Sequence, residues 1–331
     1  MASSLTESLQ NRPSPNGPFK TKNSSFLERR YAPYFFVAPF FVIFFVFAAF
    51  PIFFSLYLSF QKWRQTSGLG EMKYNGLENY QFILTQDPWF WKAVVNTLIL
   101  GVYGLLIQPM AMALSVAVHL GLKRLKSLVT VMYFLPYITS TVAISIVFGM
   151  VFSKNAGLLN AARDLLNHVP LLNLIVPDQN QDWLGNPNTV KPAIALVVAW
   201  RFLGWNTILY LSRLQAIPIE LYEAARVDGA STWQQFRFIT LPQLKTMIFL
   251  TFTLTIIGQM QLFDEPFMLA GGEGGLNQSG LTVSVYMYTT AFKFGEAGTG
   301  AAMAWILFAF ILAINLLNNK LFGADARARG D

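Results

Sequence analysis

One arginine lies inside a long apolar stretch of the sequence, where its charge needs an explanation. Arg201 falls near the middle of that stretch, and Trp205 and Asn206 follow one helical turn later. A charge at the centre of a membrane helix costs about 2.5–3.5 kcal/mol on insertion scales, so Arg201 should face protein or water. It either forms a structural ion pair, with Asp264 or Glu265 as the partner, or donates hydrogen bonds to sugar hydroxyls or an anionic group.

Other polar and aromatic residues occur inside two further apolar runs. They are Tyr137, Thr139, Thr141, Gln259, Gln261 and Asp264. If the runs surround one cavity, these side chains supply the donors, acceptors and aromatic faces that a polyhydroxylated solute requires. Trp205 could then stack against a sugar face while Asn206 bonds its hydroxyls, although a tryptophan in a membrane helix more often serves packing.

The sequence offers no set of residues for covalent chemistry or metal binding. It has no cysteine, and only His119 and His168 carry an imidazole. The glycine-rich run Gly271–Gly275 lacks the lysine of a phosphate-binding G-x-x-x-x-G-K-[ST] loop and follows an apolar segment. No catalytic triad or carboxylate pair stands out. We therefore expect a chain that is not an enzyme and binds no metal.

The composition is that of a polytopic membrane protein. Of the 331 residues, 54% are hydrophobic and 12% are charged. Six apolar runs are long enough to cross a bilayer as helices. We place them at about 34–58, 93–120, 128–152, 192–211, 247–270 and 299–321. We predict an all-α fold of six transmembrane helices, with a small helix from Gly157 to Asn167 in the longest loop.

The distribution of positive charge predicts how the chain is oriented in the membrane. The polar segments at or next to 1–30, 123–126, 216–243 and 323–331 hold more Lys and Arg than the alternate loops. By the positive-inside rule these segments, and both termini, are cytoplasmic. We expect a disordered tail over 1–30, a membrane domain over 31–322 and a short tail over 323–331. Because the basic residues lie at span ends, the net charge of +7 does not indicate nucleic-acid binding.

A short polar segment, about residues 216–243, lies between two apolar runs and carries strong local signals. Pro218 can open a helix, and Gly229 permits a sharp turn that a residue with a side chain resists. Ser231 is a suitable N-cap for a second helix, which we expect Pro242 to end. The pattern predicts two short helices in an L, on one side of the membrane, shaped for contact with another protein.

The 216–243 segment contains Glu-Ala-Ala at 223–225, Asp-Gly-Ala at 228–230 and Ile-Thr-Leu-Pro at 239–242. It resembles the EAA loop of the permease subunits of ATP-binding-cassette (ABC) importers. Other segments are similar to the carbohydrate branch of that family, the maltose-type and glycerol-3-phosphate-type permeases. These segments are Leu214–Pro218, Leu221-Tyr222, Gly76–Tyr80, Phe263-Asp264 and Gly271-Gly272. Glu273 stands where the family usually has proline.

The resemblance implies a type I ABC importer permease fold, in which the 216–243 segment docks on a cytoplasmic ATPase. The residues assigned to this coupling are Glu223, Ala224, Ala225, Asp228, Gly229, Leu241 and Pro242. In maltose-type permeases three core helices hold the sugar. By position this points to Tyr137, Thr141, Arg201, Phe202, Trp205, Gly258 and Gln261. Only the tyrosine after Leu-Pro matches in type, so the identity of the solute does not transfer.

The resemblance also implies partners: a second permease subunit, two ABC ATPase subunits and an extracytoplasmic solute-binding protein. ATP and Mg²⁺ would be bound by the ATPases, and no cofactor by this chain. We expect a subunit of a sugar importer in the inner membrane of a bacterium or archaeon. Three alternatives stay open: the same machinery for an anionic solute such as glycerol 3-phosphate, an ion-coupled secondary transporter and a membrane-embedded enzyme.

Overall fold

The structure is a computed structural model that describes residues 26–121, 126–167 and 181–320. His168, the tail residues 1–25, most of the basic turn at 123–126 and the C-terminal residues from 321 onward lie outside these ranges. The chain divides into two compact units, Met1–Phe54 and Ser55–Asp331.

Almost all regular elements are helices. In chain order they are α1 (Phe26–Phe44), α2 (Phe50–Ser59), β1 (Gln61–Lys62), β2 (Lys73–Tyr74), α3 (Glu78–Thr85), α4 (Pro88–Gly121), α5 (Lys126–Ile138), α6 (Thr141–Val151), α7 (Leu158–Asn167), α8 (Val190–Gln215), α9 (Ile219–Val227), α10 (Thr232–Gln235), α11 (Leu241–Met260), α12 (Asp264–Ala270), α13 (Val283–Tyr288) and α14 (Ala297–Asn318). The two strands pair antiparallel, with Gln61 opposite Tyr74. The small helix predicted from Gly157 to Asn167 is confirmed as α7.

The first unit is a phenylalanine-rich helix. It begins at Phe26, so the last residues of the predicted 1–30 tail are helical. Phenylalanine rings four residues apart stack along it, with centroids 6.3 Å apart for Phe40 and Phe44. A π-helical turn, Phe45–Ala49, links α1 to α2.

The described residues contain the membrane spans that the sequence predicts. Five segments are long and apolar enough to cross a membrane: Pro33–Ser59, Pro88–Leu120, Val190–Gln215, Thr232–Ala270 and Ala297–Asn318. Two further helical segments, Thr130–Ile138 and Thr141–Val151, meet at 99° and make a sixth span if they are counted together. The all-α prediction is therefore confirmed.

The predicted third span, 128–152, is not one continuous helix. It breaks between α5 and α6, where Ser140 has a non-helical ψ of 126° and occupies the N-cap position of α6 without a side-chain capping hydrogen bond. Pro136 lies in the last turn of α5 and has no N–H to donate, which weakens that turn. The Thr139 hydroxyl donates to the Leu135 carbonyl at 2.8 Å and satisfies one freed acceptor.

The prediction that Pro242 ends the second short helix is wrong. The chain continues from α10 through a π-helical turn, Phe236–Thr240, directly into α11. Pro242 is the second residue of α11 and directly follows this π-helical turn, so the helix continues past a residue that has no N–H to donate. The apolar helical segment counted as the fifth span therefore begins at Thr232, well before residue 247.

Four helices of the second unit position the site. The helix α8 packs along α4, α11 packs against both of them, and α5 packs on α8. The approach of α8 to α5 depends on Gly204, since a Cβ there would overlap the backbone carbonyl of Tyr133. A glycine at this position lets the two helix backbones come into contact.

Candidate functional site

The helices α4, α5, α8 and α11 enclose a cavity of about 270 Å³, here called the aromatic–amide cavity. Its lining residues are Ile107, Tyr137, Phe202, Trp205, Asn206, Leu254, Thr255, Gly258, Gln259 and Leu262. Six of the residues that the sequence suggested for the solute path therefore come together here: Tyr137, Phe202, Trp205, Asn206, Gly258 and Gln259. They belong to the third, fourth and fifth predicted spans.

One wall of the aromatic–amide cavity is a group of stacked rings. Tyr137 and Trp205 lie face to face, with centroids 4.6 Å apart and planes at 15°. Phe202 meets Tyr137 edge-on at 5.7 Å, and Phe134 stacks on the other side of the group at 6.1 Å from Trp205. Aromatic faces of this kind bind the C–H faces of sugars through burial of apolar surface.

The side chain of Asn206 forms hydrogen bonds with other residues of the helix bundle. Its amide nitrogen donates to the Phe202 carbonyl at 2.9 Å, and its oxygen accepts from Gln108 Nε2 at 3.1 Å. Gln108 is buried, donates also to Thr255 Oγ1 at 2.6 Å and accepts from the Tyr210 hydroxyl at 2.9 Å. This network joins α4, α8 and α11. Both polar atoms of Asn206 thus already have partners within the helix bundle.

Sequence reasoning missed Gln108 as a member of this network. It lies inside the apolar run of the second predicted span, beside Pro109. A glutamine within such a run is itself a signal, because a polar side chain in hydrocarbon needs a partner.

Arg201 forms a buried ion pair outside the aromatic–amide cavity. Its Nη1 donates to Glu265 Oε1 at 2.7 Å, and the two side chains are 16% and 2% exposed. The guanidinium also lies 5.3 Å from the centre of the Phe202 ring. The ion-pair interpretation is confirmed with Glu265 as the partner, while Asp264 is exposed.

The remaining solute-path candidates lie elsewhere. Thr141 is the first residue of α6, and Asp264 is the first residue of α12. Gln261 lines a second cavity of about 640 Å³ on another flank of α11, together with Phe263, Tyr288 and mainly apolar neighbours. The structure therefore does not bring these three side chains to the aromatic–amide cavity.

The first half of the 216–243 segment ends in a left-handed turn at Gly229. The α9 helix stops at Val227, and Gly229 has φ of +77°. The Ala230 N–H donates to the Ala225 carbonyl at 2.8 Å, and the Gly229 N–H donates to the Arg226 carbonyl at 3.1 Å. This pair of bonds is the Schellman motif, which satisfies the last carbonyls of a helix. The predicted turn is confirmed.

The second half begins with the predicted cap. Ser231 Oγ accepts from the Gln234 N–H at 3.3 Å, and the Gln234 side chain accepts from the Ser231 N–H at 2.7 Å, a capping box. A bond of 2.9 Å between the hydroxyls of Tyr222 and Thr240 ties the two halves together.

The 216–243 segment presents apolar side chains on its surface. Val227 is 88% exposed, and Trp233 and Phe238 are also largely exposed. Glu223 and Arg226 are exposed beside them, 3.9 Å apart. Exposed apolar groups clustered with charges are typical of protein-binding surfaces.

The Gly271–Gly275 loop is held by defined bonds. Gly274 donates to the Gly271 carbonyl at 3.0 Å, and Gly280 donates to the Gly274 carbonyl at 2.8 Å. Glu273 pairs with Lys293, and the hydrogen bond from that ammonium lowers the pKa of the Glu273 carboxyl. The glutamate at the family's usual proline position therefore links this loop to the turn that follows α13.

Comparisons with known proteins show which protein family the chain is similar to. The sequence profile described as "Binding-protein-dependent transport system inner membrane component" matches residues 110–322. The chain is 34% identical over 300 residues to the arabinooligosaccharides transport system permease protein AraP of Bacillus subtilis, which covers 90% of this chain and 91% of that protein. It is 36% identical over 298 residues to the lactose transport system permease protein LacF of Rhizobium radiobacter, covering 89% and 95% respectively.

A solved structure has the same fold. A chain of a bacterial ABC transporter involved in the import of the acidic polysaccharide alginate superimposes with a TM-score of 0.75 at 21% identity. The superposition covers 92% of this chain and 98% of that chain. The chain belongs to the family of binding-protein-dependent transport system inner membrane components.

Proposed function

We propose that this chain forms half of the membrane path of an ATP-driven importer for a neutral sugar or similar polyhydroxylated solute. The observation that carries the proposal is the aromatic–amide cavity, which combines stacked rings with carboxamide and hydroxyl groups. The names of the relatives AraP and LacF, which concern arabinooligosaccharides and lactose, support the same class of solute.

The charge of the aromatic–amide cavity favours a neutral solute over an anionic one. None of the described residues that line it carries a charge. Arg201, the cation considered for an anionic solute, is neutralised by Glu265 and lies outside the lining. An anion in this cavity would be desolvated without a counter-charge, which is costly.

The 216–243 segment would couple the path to ATP hydrolysis. We place its exposed surface against a cytoplasmic ATPase, with Glu223 in contact with it and Gly229 keeping the bend. Closure of two ATPase subunits would draw the coupling segments of two permease halves together and switch the side to which the cavity opens. Hydrolysis of ATP, with its Mg²⁺, would occur on those subunits.

The remaining assembly follows from this role. The path would be completed by a second permease subunit, and an extracytoplasmic binding protein would deliver the solute. We place the 31–322 domain in the inner membrane with 1–30 and 323–331 in the cytoplasm, as the charge distribution favours.

The test is uptake by proteoliposomes that contain this chain together with the permease, ATPase and binding-protein subunits that co-purify with it. We expect ATP-dependent uptake of a neutral saccharide from a panel that includes lactose and arabinotriose. Glycerol 3-phosphate and an alginate trisaccharide serve as anionic probes. Uptake of the anions alone would contradict the proposal.

A further inference from the structure

Gln259 is a largely buried residue whose carboxamide has no hydrogen-bond partner among the residues that the structure describes. Its side chain lines the aromatic–amide cavity and the residue is only 6% exposed. Across the ranges 26–121, 126–167 and 181–320, neither Oε1 nor Nε2 of Gln259 forms a hydrogen bond with another residue. These two atoms are not fully enclosed by protein, so they open into the cavity that the residue lines, where a solute can reach them.

The other two amides of this region behave differently. Gln108 and Asn206 both donate and accept hydrogen bonds within the helix bundle. Their amides therefore hold the helices together and have little capacity left for a solute. Gln259 differs because its donor and acceptor remain available beside the aromatic wall.

The position of Gln259 is set by a glycine on the facing helix. A Cβ at Gly104 of α4 would overlap Cγ and Cδ of Gln259 and would lie 2.8 Å from Nε2. The Gln259 side chain therefore occupies the space that a larger residue at 104 would fill. Gly101, one turn earlier on α4, meets no atom of another described element within 4 Å of its own Cβ position.

We propose that the Gln259 carboxamide binds hydroxyl groups of the transported solute, and that Gly104 is the positioning residue that holds it there. This inference rests on the proposed function. One carboxamide can donate from Nε2 and accept at Oε1, which suits two neighbouring hydroxyls of a neutral saccharide. A site that hydrogen-bonds a hydroxyl discriminates against the analogue that lacks it, because the site's own group is then left unpaired.

The experiment uses the complete reconstituted importer and the neutral saccharide from the panel that the wild type takes up fastest, with its monodeoxy derivatives. In the wild type, at least one derivative should be transported about tenfold less efficiently than the parent. Gln259→Leu should lower kcat/KM for the parent about tenfold and abolish that discrimination. Discrimination between parent and deoxy sugar is a readout that a merely structural role would not change.

Gly104→Ala should reproduce the Gln259→Leu phenotype, and Gly101→Ala on the same helix should match the wild type. In a Gln259→Ala background the added Gly104→Ala change should have little further effect, since no side chain is left to displace. If Gln259→Leu does not assemble, Gln259→Asn, which withdraws the carboxamide by one methylene, should show the same loss of discrimination.

The outcomes separate the two proposals. A wild-type importer that takes up none of the neutral saccharides would overturn the proposed function, and this inference with it. Wild-type uptake together with unchanged sugar discrimination in the assembled Gln259 variants would overturn this inference alone.

Discussion

Tyr137 and Trp205 stack face to face, at 4.6 Å between ring centroids, although they belong to different helices. The contact depends on Gly204, which lies beside Trp205 and lets α8 touch the backbone of α5 at Tyr133. The aromatic wall of the cavity is therefore a consequence of close helix packing as much as of the rings themselves.

Replacing Gly204 should separate these helices. In Gly204→Val the new side chain would collide with the Tyr133 carbonyl, and overpacking of this kind costs about 1–3 kcal/mol. We expect a lower unfolding temperature of the detergent-solubilised chain and reduced sugar uptake. Gly149→Ala is the control, since an added Cβ there meets no atom of another described element within 4 Å. A Gly204→Val chain as stable and active as the control would show that the close approach is dispensable.

The Arg201–Glu265 pair should stabilise the fold rather than bind solute. Arg201→Met leaves the buried Glu265 carboxylate without its cation, which we expect to cost about 3 kcal/mol of stability. The double variant Arg201→Met with Glu265→Gln removes both charges and should recover most of the loss. The loss and recovery of stability are measured as unfolding temperatures of the single and double variants. An equally unstable double variant would refute the account of the pair.

Gly229 should be required for coupling because of its backbone, not because of space. Its φ is +77°, and among the described residues no atom beyond its chain neighbours lies within 4 Å of its Cβ position. A β-branched residue disfavours this conformation, whereas asparagine tolerates it. Gly229→Val should therefore insert in the membrane but lose ATP-dependent uptake, while Gly229→Asn keeps most of it. ATP-dependent uptake by Gly229→Val as fast as that by an active Gly229→Asn would argue against a coupling role for this bend.

Glu223 should act on a partner, since it contributes little to its own fold. It is exposed, and its 3.9 Å pair with Arg226 is a surface contact of small energetic value. Glu223→Lys should leave the unfolding temperature unchanged and reduce co-purification of the ATPase. Glu220→Lys, also exposed in the first turn of α9, tests whether any charge reversal has the same effect. Undiminished ATPase recovery with Glu223→Lys would count against the proposed contact.

Local signals in the sequence predicted the 216–243 segment well. The turn at Gly229 and the cap at Ser231 follow from the intrinsic preferences of glycine and serine, which need no distant partner. The predicted stop at Pro242 is wrong because a π-helical turn directly before this proline connects α10 to α11 without a break. The sequence alone does not show the π-helical turn, so it could not distinguish a helix that stops at Pro242 from one that continues past it.

The aromatic–amide cavity could be predicted only in part. Intramembrane polar residues and family position identified Tyr137, Trp205 and Asn206, which do line it. Sequence reasoning narrowed the partner of Arg201 to Asp264 or Glu265 without choosing between them. It did not predict the contact between Gly104 and Gln259, because these two residues lie far apart in the sequence. Such pairings depend on how helices are rotated and packed, which the apolar pattern of a span does not specify.

The most direct test of the central claim compares two energy sources for one vesicle preparation. One portion of proteoliposomes carrying the complete importer is loaded with ATP, and a second portion is given an ion gradient and no ATP. Uptake of a neutral saccharide is measured in both, with and without the binding protein. The account predicts uptake with ATP and binding protein together, and none with the gradient. Uptake driven by the ion gradient in the absence of ATP would contradict it.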